Sequence, residues 1–217
     1  MDHNLDVEIM QGIPADYHPQ SLKGNSHATN SARIGLTAIY SGMGEILVAD
    51  KQTKDKAALF PVAVTVAEHA VRNADSALST VNGSIKSLQA KVDAALALPP
   101  AAQVYANELR AIFRAKKSGL TAAISEMRNG SPEAVQAILA APAILSGLTR
   151  EQQSELRKVA EVNLAGEHLD ELNEAMNAKA RLERAMEFVT KQMVENRRKW
   201  VPDHGPIEQL KKRTVRT

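Results

Sequence analysis

Apolar residues recur at helical spacing along the middle of the chain. Between residues 71 and 95 they advance in steps of three and four, the pattern of an amphipathic helix with a heptad seam. This pattern predicts a helix over about 61–97, which Pro99 and Pro100 end because proline disfavours helix in the residue before it. We expect the seam to pack either within the chain or against another chain. Its residues are Val71, Leu78, Val81, Ile85, Leu88 and Val92.

Three further helices are expected after Pro100. Apolar spacing predicts one over 101–128, which would form an antiparallel hairpin with the helix before it. A serine cap followed by proline predicts a short helix over 132–141. Thr149 and Gln152 have the spacing of a capping box, so a helix of roughly 75 Å is expected over 150–199, with Gly166 as a place for a kink.

The two ends of the chain lack a sustained period. Residues 1–30 are predicted to form an extended arm, and 31–59 an irregular packing segment, either a short hairpin or a broken helix. Residues 201–217 are predicted to be a basic tail. The expected fold is therefore all-α: a helical hairpin and one very long C-terminal helix in a helical domain over 60–200, with an extended N-terminal arm.

Composition supports close helix packing. Alanine occurs 34 times in 217 residues and aromatic residues make up 3%, which suits helices that approach closely and does not suit a sheet. With no cysteine, the chain cannot form disulfides, thiolate zinc sites or iron–sulfur clusters. No signal peptide is expected in 1–10, and no apolar run approaches the roughly 20 residues that span a bilayer, so a cytoplasmic protein is expected.

Charge is nearly balanced overall but concentrated at the C-terminal end. The formal net charge is +2; from residue 191 onward, eight basic and three acidic residues give +5, which leaves −3 for the rest. The basic cluster is either a solvated tail or a contact for phosphates or an acidic partner. The candidate contact residues are Arg197, Arg198, Lys199, Lys211, Lys212, Arg213 and Arg216.

The sequence contains no recognisable catalytic motif. It has no phosphate-binding loop, no nucleophile elbow and no zinc-protease helix. His168 and Glu171 share a helix face, but a helical metal site needs a matching pair on another helix. We therefore expect no enzyme activity, no cofactor and no metal.

Two segments resemble small helical proteins of tailed phages and prophages: 105–114 (YANELRAIFR) and 138–148 (ILAAPAILSGL). The resemblance implies a particle or assembly component, present in the cytoplasm during assembly and then in the virion, and it transfers no catalytic residue. The expected function is a structural protein whose partners are itself or other assembly subunits. The alternative is a nucleic-acid-associated module that contacts DNA through its basic tail, without sequence specificity.

Overall fold

Helices form almost all of the chain that the structure describes. The computed structural model describes residues 12–115, 119–129 and 132–201. Within these ranges there is no strand, which confirms the all-α class and the long C-terminal helix. The α-helices are α1 (His27–Gln52), α2 (Lys56–Leu96), α3 (Ala106–Ala115), α4 (Gly119–Asn129), α5 (Pro132–Leu139) and α6 (Arg150–Trp200). Short 3-10 turns are Ala15–Tyr17, Pro19–Ser21, Pro100–Tyr105 and Ala143–Ser146.

The segment 31–59 differs from the irregular segment that the sequence predicts, because α1 occupies most of it. Ser26 caps α1, its hydroxyl accepting a hydrogen bond from the Thr29 amide at 3.2 Å. Small and apolar residues at steps of four and three are buried along α1, so tertiary packing offsets the helix cost of its glycines. These residues are Ala28, Ala32, Gly35, Ile39, Gly42 and Ile46.

α2 begins earlier than predicted. Pro61 lies inside the helix rather than at its start, and the Asp55 carboxylate accepts a hydrogen bond from the Ala58 amide at 3.0 Å, as a cap does. Lys56 joins this start to the end of α1, because its Nζ donates to the Asp50 carboxylate at 2.7 Å and to the Asp50 carbonyl. The connection between α1 and α2 is therefore a short, tied turn.

The chain divides into two compact units where one helical domain was predicted. The first contains α1, α2 up to Ser84, and α6 from Glu174; the second is Ile85–Asn173. Helices α2 and α6 each contribute to both units.

Close helix packing builds the first unit. A Cβ atom added to Gly35 would lie 2.9 Å from Leu182 Cδ1 and 3.0 Å from Ala77 Cβ, so α1, α2 and α6 meet here. A Cβ on Gly42 would lie 3.0 Å from Ala70 Cβ. Because position 35 faces 77 and position 42 faces 70, α1 and α2 are antiparallel. Only small residues allow helices to approach this closely.

Residues 12–26, part of the predicted extended arm, pack against the first unit. Ile13 and Leu22 are buried, and the Arg33 guanidinium donates to the carbonyls of Leu22 and Gly24 at 2.9 and 2.6 Å. Arg181 donates to the Ser21 carbonyl and hydroxyl at 3.0 and 2.8 Å. Residues 1–11 of the predicted arm lie outside the described ranges.

The second unit packs around α5. Helices α3 and α4 both contact α5, and Arg110 of α3 donates to the Ala137 carbonyl at 2.8 Å. The single helix predicted over 101–128 is instead a 3-10 turn followed by α3 and α4. Gly119, at the start of α4, has φ 51°, a left-handed conformation that a continuous helix does not contain.

A kink interrupts α6 within the second unit. Ala165 has φ −133° and ψ 20°, next to Gly166, where the sequence predicted a kink. The Asn163 side-chain amide donates to the Val159 carbonyl at 2.7 Å, the acceptor that the helix ladder uses at that position. The side-chain amide of Asn163 thus competes with its backbone amide for the Val159 carbonyl. This competition, together with the adjacent glycine, accounts for the kink.

Candidate interaction surfaces

An apolar groove lies between α2 and α6 in the first unit. It has a volume of about 750 Å³, and among the described residues its lining comes from these two helices alone. Valines, methionines and a phenylalanine line most of it. The apolar lining residues are Phe60, Val64, Ala67 and Val71 on α2, and Met186, Val189, Met193 and Val194 on α6. We call this surface the α2–α6 groove.

The two walls of the groove are antiparallel. Gly35 contacts both Ala77 and Leu182, so these two residues lie at one level. Moving away from these two residues along the groove, residue numbers fall to Phe60 on α2 and rise to Arg197 on α6. The two helices therefore run in opposite directions. One end of the groove therefore has Phe60 beside Arg197, and the other has Asp75 beside Met186.

Charged residues lie on the rims of the groove. Glu68, Arg72 and Asp75 are exposed on the α2 wall, and Arg197 is exposed on the α6 wall. The α2 wall thus has a net negative charge and the α6 wall a positive one. The acidic end at Asp75 and the basic end at Arg197 are opposite ends of the groove.

The predicted packing seam lies on α2 and is only partly covered within the chain. Val81, Leu88 and Val92 are buried, whereas Val71, Leu78 and Ile85 are half-buried. Of the six, Val71 lines the α2–α6 groove. Alanines form the buried face of α2 in the first unit beside this seam, namely Ala63, Ala67, Ala70, Ala74 and Ala77.

Three of the predicted basic contact residues lie in the last turn of α6. Arg197, Arg198 and Lys199 are all exposed, and the Lys199 ammonium lies 3.9 Å from the Glu195 carboxylate. The other four residues, Lys211, Lys212, Arg213 and Arg216, lie outside the described ranges.

The second unit exposes large apolar side chains on three neighbouring elements. The turn Pro100–Tyr105 and the turn Ala143–Ser146 both contact α3. Val104 is 90% exposed, Ile144 78% and Ile112 51%. We call the set the α3 surface; it consists of Val104, Tyr105, Ile112, Ile144 and Leu145. Four of these five residues, all except Val104, lie within the segments 105–114 and 138–148.

A second, smaller groove lies between α1 and α2. Its volume is about 470 Å³, and Glu45 and His69 are among its lining residues, together with serine, threonine and small side chains. His69 Nδ1 lies 3.4 Å from Asn73 Nδ2 on the same helix. The apolar part of this lining comes from Val66 and small residues, and not from large side chains such as those of the α2–α6 groove.

The described residues contain no cluster of His, Asp or Glu that could hold a metal ion. The Nδ1 atom of His168 is buried without a hydrogen-bond partner, although the ring as a whole is half-buried. The pKa of Glu187 is lowered by its hydrogen bond to Lys191, at 2.8 Å, and the same bond raises the pKa of Lys191. This pair is an exposed i, i+4 contact on α6, which stabilises a helix rather than forming an acid–base site.

Within residues 12–115, 119–129 and 132–201, every helix is too short or too polar to cross a bilayer.

Comparison with known proteins finds no matching family, no similar curated protein and no similar solved structure.

Proposed function

We propose that this protein is a non-enzymatic structural or assembly protein that packs its helices against copies of itself or other subunits. The observation that carries the proposal is the grouped apolar surface that the described residues leave exposed in each unit: the α2–α6 groove in the first and the α3 surface in the second. Single exposed apolar residues are ordinary, but grouped ones in a groove or on adjoining elements are typical of protein contacts.

Hydrogen–deuterium exchange at low and high protein concentration tests this proposal. Association would slow amide exchange in the helices that carry the apolar surfaces as concentration rises, because a covered helix opens less often. Exchange that is identical in every peptide at all concentrations, together with a constant particle mass, would contradict an assembly function through self-contact.

A narrower form of the proposal places the protein in a bacteriophage particle. It is supported by the resemblance of 105–114 and 138–148 to small phage and prophage proteins. Mass spectrometry of purified particles and assembly intermediates from a producing strain tests it. The chain should occur at a stoichiometry that matches a symmetric assembly, and its absence from both fractions would rule out this role.

A second candidate function, contact with nucleic acid, is favoured by the exposed run Arg197, Arg198 and Lys199 at the end of α6. Neutralising all three to glutamine should lower affinity for duplex DNA and flatten its salt dependence by up to about three units of slope. Unchanged affinity in this variant, with loss of affinity on removal of 201–217, would assign the contact to the tail alone. If the wild-type protein does not bind duplex DNA at low salt, the nucleic-acid function is ruled out.

A further inference from the structure

We propose that two copies of this chain pair through the α2–α6 groove about a two-fold axis, so that α2 and α6 of each copy form a four-helix arrangement. This pairing rests on the proposed assembly function and names its partner as a second copy.

The described residues of the first unit form a helical bundle that leaves one side of the α2–α6 pair uncovered. Helix α1 covers one side of the α2–α6 pair, where Gly35 meets Ala77 and Leu182. The groove lies on other residues of the same two helices, and no α1 residue lines it. The lining from Phe60 to Asp75 extends for roughly 22 Å at 1.5 Å per residue, which is about two heptads of packing. Two further helices would complete a bundle of the usual four.

The charges on the rims identify a second copy as a fitting occupant. A two-fold axis that crosses the centre of the groove at right angles to its helices places α2 of the partner over α2 and α6 over α6, and it reverses the ends. The basic end at Arg197 of one copy then meets the acidic end at Asp75 of the other, and this happens twice. A surface whose opposite ends have opposite charge is complementary to itself under such a rotation.

Apolar residues line the paired grooves along their length. Val71 is half-buried and Val194 is 49% exposed in the single chain, and both line the groove. Pairing would remove these side chains and the methionines from water, which is the main driving force for association. Met186 and Met193 can adjust their conformations to fill the space between the copies.

Replacing Val71 with aspartate tests the apolar lining of the pairing. A charge buried between two copies should weaken dimerisation by roughly 30-fold or more, as loss of a buried apolar contact does. Val62→Asp is the matched control, because Val62 is 59% exposed on the same helix and does not line the groove. Sedimentation velocity over a dilution series measures both, with circular dichroism to verify that each variant folds.

A charge exchange between exposed positions tests the two-fold geometry, and it stays informative if Val71→Asp fails to fold. Arg197→Asp and Asp75→Arg each create two like-charge contacts and should each weaken dimerisation by roughly tenfold at low salt. In an equimolar mixture of the two variants, positions 75 and 197 have opposite charges at both contacts between unlike copies, so a heterodimer should form with wild-type affinity. Because the attraction is electrostatic, the recovery should diminish at high salt.

The outcomes separate the pairing from the broader function. If the chain associates and neither Val71→Asp nor either charge reversal weakens dimerisation, the groove pairing is overturned. The proposed assembly function is not affected by that result. If the two charge-reversed variants dimerise as weakly in the mixture as each does alone, the two-fold geometry is overturned. Occupation of the groove by a helix of another protein would overturn it as well. A wild-type chain that is monomeric at every concentration overturns both the pairing and self-assembly.

Discussion

Gly35 shows at the scale of one residue why this chain uses glycine inside a helix. Its α-carbon lies so close to Leu182 and Ala77 that an added Cβ would sit at 2.9 and 3.0 Å from them. Both neighbours are buried, so neither can move away without disturbing the core. The cost of glycine in a helix is thereby offset by close contact of three helices.

Gly35→Val should therefore destabilise the protein by about 1–3 kcal/mol through overpacking. Gly83→Val is the matched control, since position 83 is also helical but an added Cβ there would meet nothing within 4 Å. The glycine-to-valine change in helix propensity is the same in the two variants, so the difference between their free energies of unfolding reports packing alone. Urea unfolding followed by circular dichroism gives both free energies of unfolding, and equal stability of the two variants would refute the packing account.

The sequence left 31–59 open between a hairpin and a broken helix, because Gly35, Gly42 and Gly44 are poor helix formers when taken alone. The signal that would have found the helix is the 4–3 spacing of small residues from Ala28 to Ile46. Small residues contribute little to an apolar pattern, so the spacing of large side chains does not indicate this buried face of α1. The partners that stabilise it are on α2 and α6: Ala70 lies 28 residues beyond Gly42, and Leu182 lies 147 residues beyond Gly35.

Arg181 holds the N-terminal segment to α6 through its two hydrogen bonds to Ser21. Arg181→Gln should loosen this segment and speed tryptic cleavage after the exposed Lys23 on the order of tenfold, because a hydrogen bond from a charged group is lost. Arg184→Gln is the control, since Arg184 Nε donates only to the Ala180 carbonyl of its own helix turn. Equal cleavage rates in the two variants would show that Arg181 does not hold the segment.

At the scale of elements, helix ends were predicted better than helix interruptions. The capping box at the start of α6 is confirmed: the Thr149 amide donates to Gln152 Oε1 at 2.9 Å, and the Gln152 amide donates to Thr149 Oγ1 at 3.2 Å. Such signals are local, so a single sequence contains them. The single helix predicted over 101–128 was wrong because apolar spacing continues past Gly119, whose left-handed conformation does not fit a continuous helix.

Thr149→Ala should lower the free energy of unfolding by about 1 kcal/mol, the usual effect of losing a side-chain cap. Thr149→Asn, which can accept the same amide hydrogen bond, should restore most of it. Thermal unfolding of the three proteins measures the difference. A Thr149→Ala variant as stable as the wild type would mean that the first turn of α6 is held by packing alone.

Glu151, in the same turn, makes part of this stability depend on pH. A hydrogen bond from its own backbone amide, then one from the Thr149 hydroxyl, lowers the pKa of the carboxyl below its ordinary value of 4.5. A lowered pKa in the folded protein stabilises it above pH 4.5 and loses that effect as pH falls through the lowered value.

Wild type should thus exceed Glu151→Gln in stability at neutral pH, and the difference should shrink below pH 4.5. Urea unfolding at a series of pH values measures it. A difference that stays constant down to pH 3 would contradict the assigned hydrogen bonds.

At the scale of the whole molecule, the sequence predicted the class of the fold but not its division into two units. The all-α class followed from helical spacing and alanine content, which are properties of the chain itself. The α2–α6 groove depends on which residues of α6 come to lie beside α2, more than 100 residues away, and no local pattern specifies that. Val71 and Arg197 were singled out in the sequence separately, and the structure brings both to the lining of one groove.

The solution mass of the full chain across concentration is the most direct test of association through the helices. Light scattering after size exclusion should give the 23.5 kDa mass of one chain at high dilution and a discrete mass of at least twice that value as concentration rises. A mass of 23.5 kDa at every concentration, with no change on adding salt, would contradict the account.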